Sequence, residues 1–322
     1  MKKEINEYLI SEISDTQSIL KWKFAYFLNW VKSVSPTIKR HFIKLDVPSK
    51  KYNVAVCAIF KNEAPYLKEW ILFNHIAGID HFYLYNNNSE DNYKDVLLEF
   101  IDSGLVTLNQ WEENQAQMEC YKDGISKYAQ ECKWLGFIDI DEFVVPKSTN
   151  DIYSFLKKFE RNTGAVKIYW KMFGTSGKID RKLSGLVTED FTVAWPKYYD
   201  VGKCFYNTAF EFDFNSKNNN LLHHNFWASY KGRVIPPINV FNHVCIGTYN
   251  KLDSLNVPIQ INHYFTKSYN EYAAKRAKGD VYFRENPHDL DYFFSHEYPC
   301  TSLDYSAFKF LIELKRKMKI SK

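Results

Sequence analysis

The chain has 322 residues, enough for one large α/β domain or two small ones. Hydrophobic residues make up 45% and charged residues 25%, which excludes wholesale disorder, and a net charge of +4 is too small to point to a nucleic acid partner. Six cysteines, Cys57, Cys120, Cys132, Cys204, Cys245 and Cys300, form no C-x-x-C pair and read as buried free thiols of a reducing compartment. The start MKKEINEYLISEIS has no long apolar core behind its lysines, and no run of 18 apolar residues occurs. Neither a signal peptide nor a spanning helix is expected, and the expected location is the cytoplasm or the cytoplasmic face of a membrane.

Residues 1–50 read as an N-terminal helical extension. Leu20, Phe24, Phe27, Leu28 and Val31 repeat at helical spacing, and Ser35-Pro36 is the expected stop. Trp22, Tyr26 and Trp30 lie on a neighbouring face among Lys21, Lys23 and Lys32, a pattern that suits either packing on the domain or a peripheral membrane contact.

Residues 51–284 read as the main domain. Strands are expected at 52–60, 80–85, 105–108 and 134–138, with helices between them at 65–74, 93–101 and 116–129. That alternation predicts an α/β fold with a mostly parallel, doubly wound sheet. Ligands of such sheets bind beyond the carboxyl ends of the strands, so Asn62, Glu63, Asn86, Asn88, Ser89, Asp91, Asp139 and Asp141 are expected around one crevice. The second half is less regular, with strands expected at 166–170, 187–195 and 201–206 and a glycine-flanked loop at 173–177. Helices are expected at 269–278 and 306–319, the latter in a C-terminal helical tail spanning 285–322.

The stretch KWLGFIDIDEFVVP, residues 133–146, carries the most chemistry. Three carboxylates in four positions between two apolar runs repel one another unless water or a cation compensates them. Asp139 and Asp141 share a side in extended backbone, which suits a hard divalent ion such as Mn2+ or Mg2+ that also holds phosphate oxygens.

Four motifs in order resemble glycosyltransferase family 92 and its family-2-like relatives of GT-A type. They are FKNEAPYLKEW (60–70), YLYNNNSED (83–91), WLGFIDIDEF (134–143) and INHYFTKS (261–268). The resemblance implies metal-dependent transfer from a nucleotide sugar, usually UDP-linked, to a glycan or lipid-linked acceptor. It also implies a nucleotide pocket that includes Gln117 and Asp123, with His263 as a third metal ligand or diphosphate contact. Lys203 and Lys267 are expected at the phosphates or the acceptor. An inverting transfer needs a base, for which Glu189 and Asp190 are expected, with Asp180, Glu211 and Asp213 as competitors. Trp170, Phe173 and Gly174 are expected to shape the sugar pocket, and His223 and His224 are weaker candidates for the acceptor or phosphates. A competing reading is a non-catalytic nucleotide-sugar or glycan-binding protein on the same scaffold. A nucleotidyltransferase would usually carry a glycine-rich loop after its first strand, and Lys61-Asn62-Glu63-Ala64 offers none.

Overall fold

The computed structural model describes residues 2–4, 7–12, 18–114, 116–277 and 289–319. The boundary expected at 284/285, the expected helix end at Lys278 and the last basic residue Lys322 lie outside the described residues. Helix α1, Ile19–Arg40, runs through Pro36 instead of ending before it. A proline inside a helix costs about 3 kcal/mol, so local propensity predicts a stop. Tertiary anchoring offsets that cost, since Arg40 at the far end is buried and donates to Thr163 Oγ1 at 3.1 Å.

Strand β1, Tyr52–Phe60, is buried along most of its length, and its alternation feeds two core layers. Val54, Val56, Ala58 and Phe60 enter one layer, and Ala55, Cys57 and Ile59 the other. Helices α2, Ala64–Ile76, and α3, Tyr93–Asp102, flank strand β2, His81–Asn86, in sequence; they cover the first layer with Leu67, Trp70, Phe73 and Leu97. Strand β3, Val106–Gln110, leads to helix α4, Gln117–Tyr128, which covers the second layer with Met118, Tyr121 and Ile125. The mostly parallel sheet with helices on both faces is the architecture the alternation predicts.

Strand β4, Cys132–Phe137, is followed by β5, Glu142–Pro146, β6, Ala165–Met172, β7, Tyr198–Asn207, and β8, Ile259–His263. The spine of the eleven-stranded sheet is β3-β2-β1-β4-β7-β6-β8-β5. The first four strands are parallel, β7 opposes both β4 and β6, and β8 runs parallel to β6 but opposes β5. Three strands thus separate β4 from β5, yet only residues 138–141 connect them. Crossing four strand spacings flat needs roughly 19 Å. The link is folded into a turn by Glu142 N donating to Asp139 O at 3.0 Å, so it cannot reach that far and the sheet curls. The acidic residues therefore sit where the two ends of the sheet approach.

Two further features depart from the expected elements. Leu9–Glu12 is a strand, parallel to Tyr198 and Tyr199 of β7. Residues 187–195 are not one strand but a helical turn, Val187–Asp190, and a short strand, Val193–Ala194. The buried Glu69 carboxylate on α2 sets that turn, accepting Val187 N at 2.7 Å, Thr188 N at 2.9 Å and Thr188 Oγ1 at 2.8 Å. A cap supplied from more than a hundred residues away leaves no trace in local sequence.

Candidate functional site

The acidic turn begins at Asp139, whose carboxylate is held on both oxygens. Oδ1 accepts from Gln117 Nε2 at 3.1 Å and Tyr121 OH at 3.2 Å, both on α4, and Oδ2 accepts from Lys203 Nζ at 2.7 Å. Lys203 is fully buried and also lies 3.6 Å from Glu142 Oε1, so it joins two of the three acids. Its position depends on a register slip in β7 between Tyr199 and Gly202. Gly202 lies so close to β6 that a Cβ would come within 2.1 Å of Ile168 O, which explains glycine at the bulge.

Asp141, Glu142 and His263 form the second part of the site. Glu142 and His263 are directly opposite on β5 and β8, which places their side chains on one face, and Tyr264 N donates to Asp141 O at 2.9 Å. One ligand atom from each of Asp141, Glu142 and His263 lies within 4.8 Å of the others, and all three residues are buried. Lys275 on helix α5, Tyr269–Ala277, reaches Asp141 Oδ2 at 2.5 Å, and His263 Nε2 lies 3.4 Å from Asp141 Oδ1. Lys267, with positive φ, stands over the Tyr66 ring at 4.3 Å and adds a further positive charge that acts on Asp141.

The electrostatics of these groups diverge. Burial alone would raise the Asp141 carboxyl, but Lys275, His263 and Lys267 hold it well below the usual carboxylate range. Burial also raises Glu142; Lys203 opposes this, while Asp139 and Asp141 reinforce it, and the net is well above the usual range. Burial lowers His263, and Asp141 only partly restores it. Lys203 and Lys275 are held above the usual lysine value because their carboxylate neighbours outweigh burial.

Eleven buried side-chain nitrogen or oxygen atoms lack a hydrogen-bond partner among the described residues, and five of them gather here. Asp141 Oδ1, Glu142 Oε1 and His263 Nδ1 are three; Trp170 Nε1 and His223 Nδ1 are the others. The Trp170 ring lies 4.4 Å from that of His263 and 5.0 Å from that of His224, which is 3.8 Å from His223. Native proteins seldom leave buried polar atoms unpaired, so a concentration of them calls for ordered water, an ion or a ligand to complete it. Two carboxylate oxygens and an imidazole nitrogen suit a divalent cation such as Mn2+, so the residues present fit the metal that the motif pattern implies.

The residues expected at the nucleotide form a second, adjacent group. Asn62 N donates to Ser89 Oγ at 2.8 Å, Glu90 N to Asn62 Oδ1 at 2.8 Å, and Ala64 N to Asp91 Oδ2 at 2.8 Å. Asn86 donates to Tyr93 OH and Gln110 Oε1 and accepts from Ser89 N, while Asn88, at positive φ, donates to Glu112 O. The loops after β1 and β2 are thereby stitched together. Glu63 connects them to the charged cluster, because its charge raises Lys275. Asp123 lies further along α4 and takes Tyr85 OH at 2.8 Å and Lys127 at 2.8 Å.

Glu189 pairs with Lys315 of the helix Leu311–Met318 at 2.6 Å, and Asp190 pairs with Lys178 and, at 3.8 Å, with Arg181. Neither makes a described contact with Asp139, Asp141 or His263. Sequence reasoning missed Lys275 and Tyr121 and did not count Glu142 among the expected ligands, whereas the geometry sets it beside Asp141 and His263. The alternation of Asp139 and Asp141 gave no signal for Glu142, which is out of phase with both. Lys275 had no signal, being one basic residue in a basic helix.

A buried acidic turn at the strand ends of an α/β sheet, ringed by lysines and beside a polar loop pair, lies where such sheets bind their ligands. The glycosyltransferase family 92 model matches residues 50–283, and the chain belongs to that family. A family 92 protein of Oryza sativa subsp. japonica is 28% identical over 142 residues, 43% of this chain and 24% of that protein. One of Ricinus communis is 35% identical over 94 residues, 29% of this chain and 16% of its own length. The chain thus matches about a quarter or less of these curated relatives. Among solved structures, Staphylococcus aureus TarS 1–349 is similar with a TM-score of 0.34 at 16% identity, covering 49% of this chain and 47% of that one.

Proposed function

We propose that the protein is a metal-dependent glycosyltransferase that moves a sugar, galactose being one candidate, from a UDP-sugar to a glycan or lipid-linked acceptor. The reading includes inversion at the transferred carbon and a role in cell-surface polysaccharide or lipooligosaccharide synthesis on the cytoplasmic side. The observation that carries the transfer reading is the convergence of Asp141, Glu142 and His263, each with a buried atom that no hydrogen bond takes up, inside a family 92 domain. UDP is the nucleotide that the family resemblance implies.

The charges support this chemistry. A divalent ion held by Asp141, Glu142 and His263 would act as a Lewis acid on the diphosphate leaving group. Lys203, Lys267 and Lys275 surround the same point and would neutralise negative charge as the sugar–phosphate bond breaks. Asp139, held by Gln117, Tyr121 and Lys203, keeps a fixed orientation and is partly exposed, so it can also accept from a ribose hydroxyl. Trp170 offers a ring beside His263 on which an apolar sugar edge can rest.

The test is UDP release by the purified protein across a panel of UDP-sugars with Mn2+. Turnover is expected with at least one donor and is expected to stop on chelation and in Asp141→Ala. Tight UDP binding with no release from any donor, on a broad acceptor panel, would favour the non-catalytic binding protein instead. Full turnover in Asp141→Ala would overturn the metal assignment.

A further inference from the structure

Helix α1 docks on the domain with the wrong face for an ordinary surface helix. Its contacts with the body are aromatic or polar: Tyr26 against Tyr249 at 5.2 Å between ring centroids, Asn29 Nδ2 to Thr248 Oγ1 at 3.1 Å, and Arg40 to Thr163. The apolar stripe points away. Leu20, Phe24, Phe27, Val31, Val34 and Ile38 follow one another at steps of three and four residues and are between 44% and 80% exposed. Phe42, just past the helix, extends the stripe and is 80% exposed. Soluble monomers seldom present a continuous apolar band of this kind, and a helix normally turns such a band to its own core.

The charges around the band identify what covers it. At about 100° per residue, Lys21, Lys32 and Lys39 fall along one border and Lys23 along the other. The helix contains no Asp or Glu from residue 19 to residue 40. Trp30, 46% exposed, lies at the edge of the band, where an amphipathic ring suits a headgroup layer. A second copy of the chain docked by two-fold symmetry on this band would bring lysine borders against lysine borders. An anionic lipid surface meets both the apolar band and the basic rims. No described helix is long and apolar enough to cross a membrane, so the geometry is that of a helix lying in the interface plane.

We infer that α1 is a membrane-docking helix, which inserts the stripe from Leu20 to Ile38 among acyl chains and sets its lysines against anionic headgroups. The docking needs no nucleotide, metal or turnover, so it stands whether or not the crevice transfers a sugar. It would bring the crevice to the surface on which a lipid-linked acceptor is held.

The experiment is flotation of the full chain with vesicles of phosphatidylcholine alone and of phosphatidylcholine with phosphatidylglycerol. Binding is expected to the anionic vesicles, to weaken with added salt, and to fall at least about tenfold in Phe24→Glu/Val31→Glu. Both positions point outward, so thermal unfolding of that variant is expected to match the parent. Trp30 emission, taken as the difference from Trp30→Phe, is expected to shift to the blue on anionic vesicles. Failure of the parent chain to float with anionic vesicles would overturn the inference, as would equal flotation by the double variant. Sedimentation showing a dimer that the double variant dissolves, with no vesicle binding by the parent, would assign the face to a second copy and overturn it too.

Discussion

The loops after β1 and β2 and the charged cluster after β4 lie at the same edge of one sheet, yet they are built on opposite rules. In the loop pair, Asn62, Asn86, Asn88 and Ser89 spend their polar groups on backbone and side chains within the pair or next to it, and one buried oxygen, Asp91 Oδ1, is left without a hydrogen bond. In the cluster, Asp141, Glu142 and His263 are buried with atoms that no hydrogen bond takes up, and cations stand where further donors would otherwise be. Saturated polar groups hold backbone in place, whereas unpaired buried ones cost stability and persist where a ligand completes them. The difference divides the rim of the crevice into a frame and a working part.

Asp141 provides the strongest way to break this division. Asp141→Asn keeps the shape and removes the charge that Lys275 and His263 surround. Transfer is expected to fall by about 10²–10³ or more, with Mn2+ binding lost by calorimetry and thermal stability lowered, because Lys275 loses its buried partner. Retained Mn2+ affinity would move the metal away from this cluster.

Lys203→Met probes what holds the acids together. With Lys203 gone, Asp139 and Glu142 lose their shared cation while staying in place, and stability is expected to drop by about 3–5 kcal/mol in chemical denaturation. Adding Glu142→Gln should recover part of the loss, because it removes a carboxylate that would otherwise be left beside Asp139 without the lysine. No recovery in the double variant would mean that the lysine acts by packing against Trp170, 5.8 Å from its ring, and not by charge.

Asn86→Ala tests the frame. It removes the donors to Tyr93 and Gln110 and the acceptor for Ser89 N, so stability is expected to fall by about 1–3 kcal/mol. UDP affinity measured on the folded fraction is expected to change by less than about threefold. A large loss of affinity with unchanged stability would erase the distinction between the two parts.

How the two parts read in sequence follows the same line. The parallel half was legible because its strands are short apolar runs separated by polar turns, and the acidic turn was legible because charge between two core strands is costly. His263 was reached through the NHYFTKS motif, not through any property of a lone histidine. What escaped depends on contacts far apart in the chain. Glu69 reshapes residues 187–190, Arg40 carries α1 past Pro36, and the Tyr199/Gly202 bulge aims Lys203 inward. The curl that brings β5 back toward β4 is likewise a property of the sheet, and it decides that Glu142 stands opposite His263.

Lys275 makes the subtlest test, since it already sits on the oxygen that a metal would want. At 2.5 Å from Asp141 Oδ2 it acts as an internal cation, and metal binding has to move it or share the carboxylate with it. Lys275→Met is therefore expected to tighten Mn2+ binding by about tenfold in calorimetry without nucleotide, a gain of roughly 1.4 kcal/mol. The same change is expected to weaken UDP binding in the presence of Mn2+, because a positive charge beside the diphosphate is lost. The two effects have opposite signs, which a general loosening of α5 cannot produce. If Mn2+ affinity falls instead, Lys275 serves to orient Asp141 for the metal, and the lysine belongs to the frame.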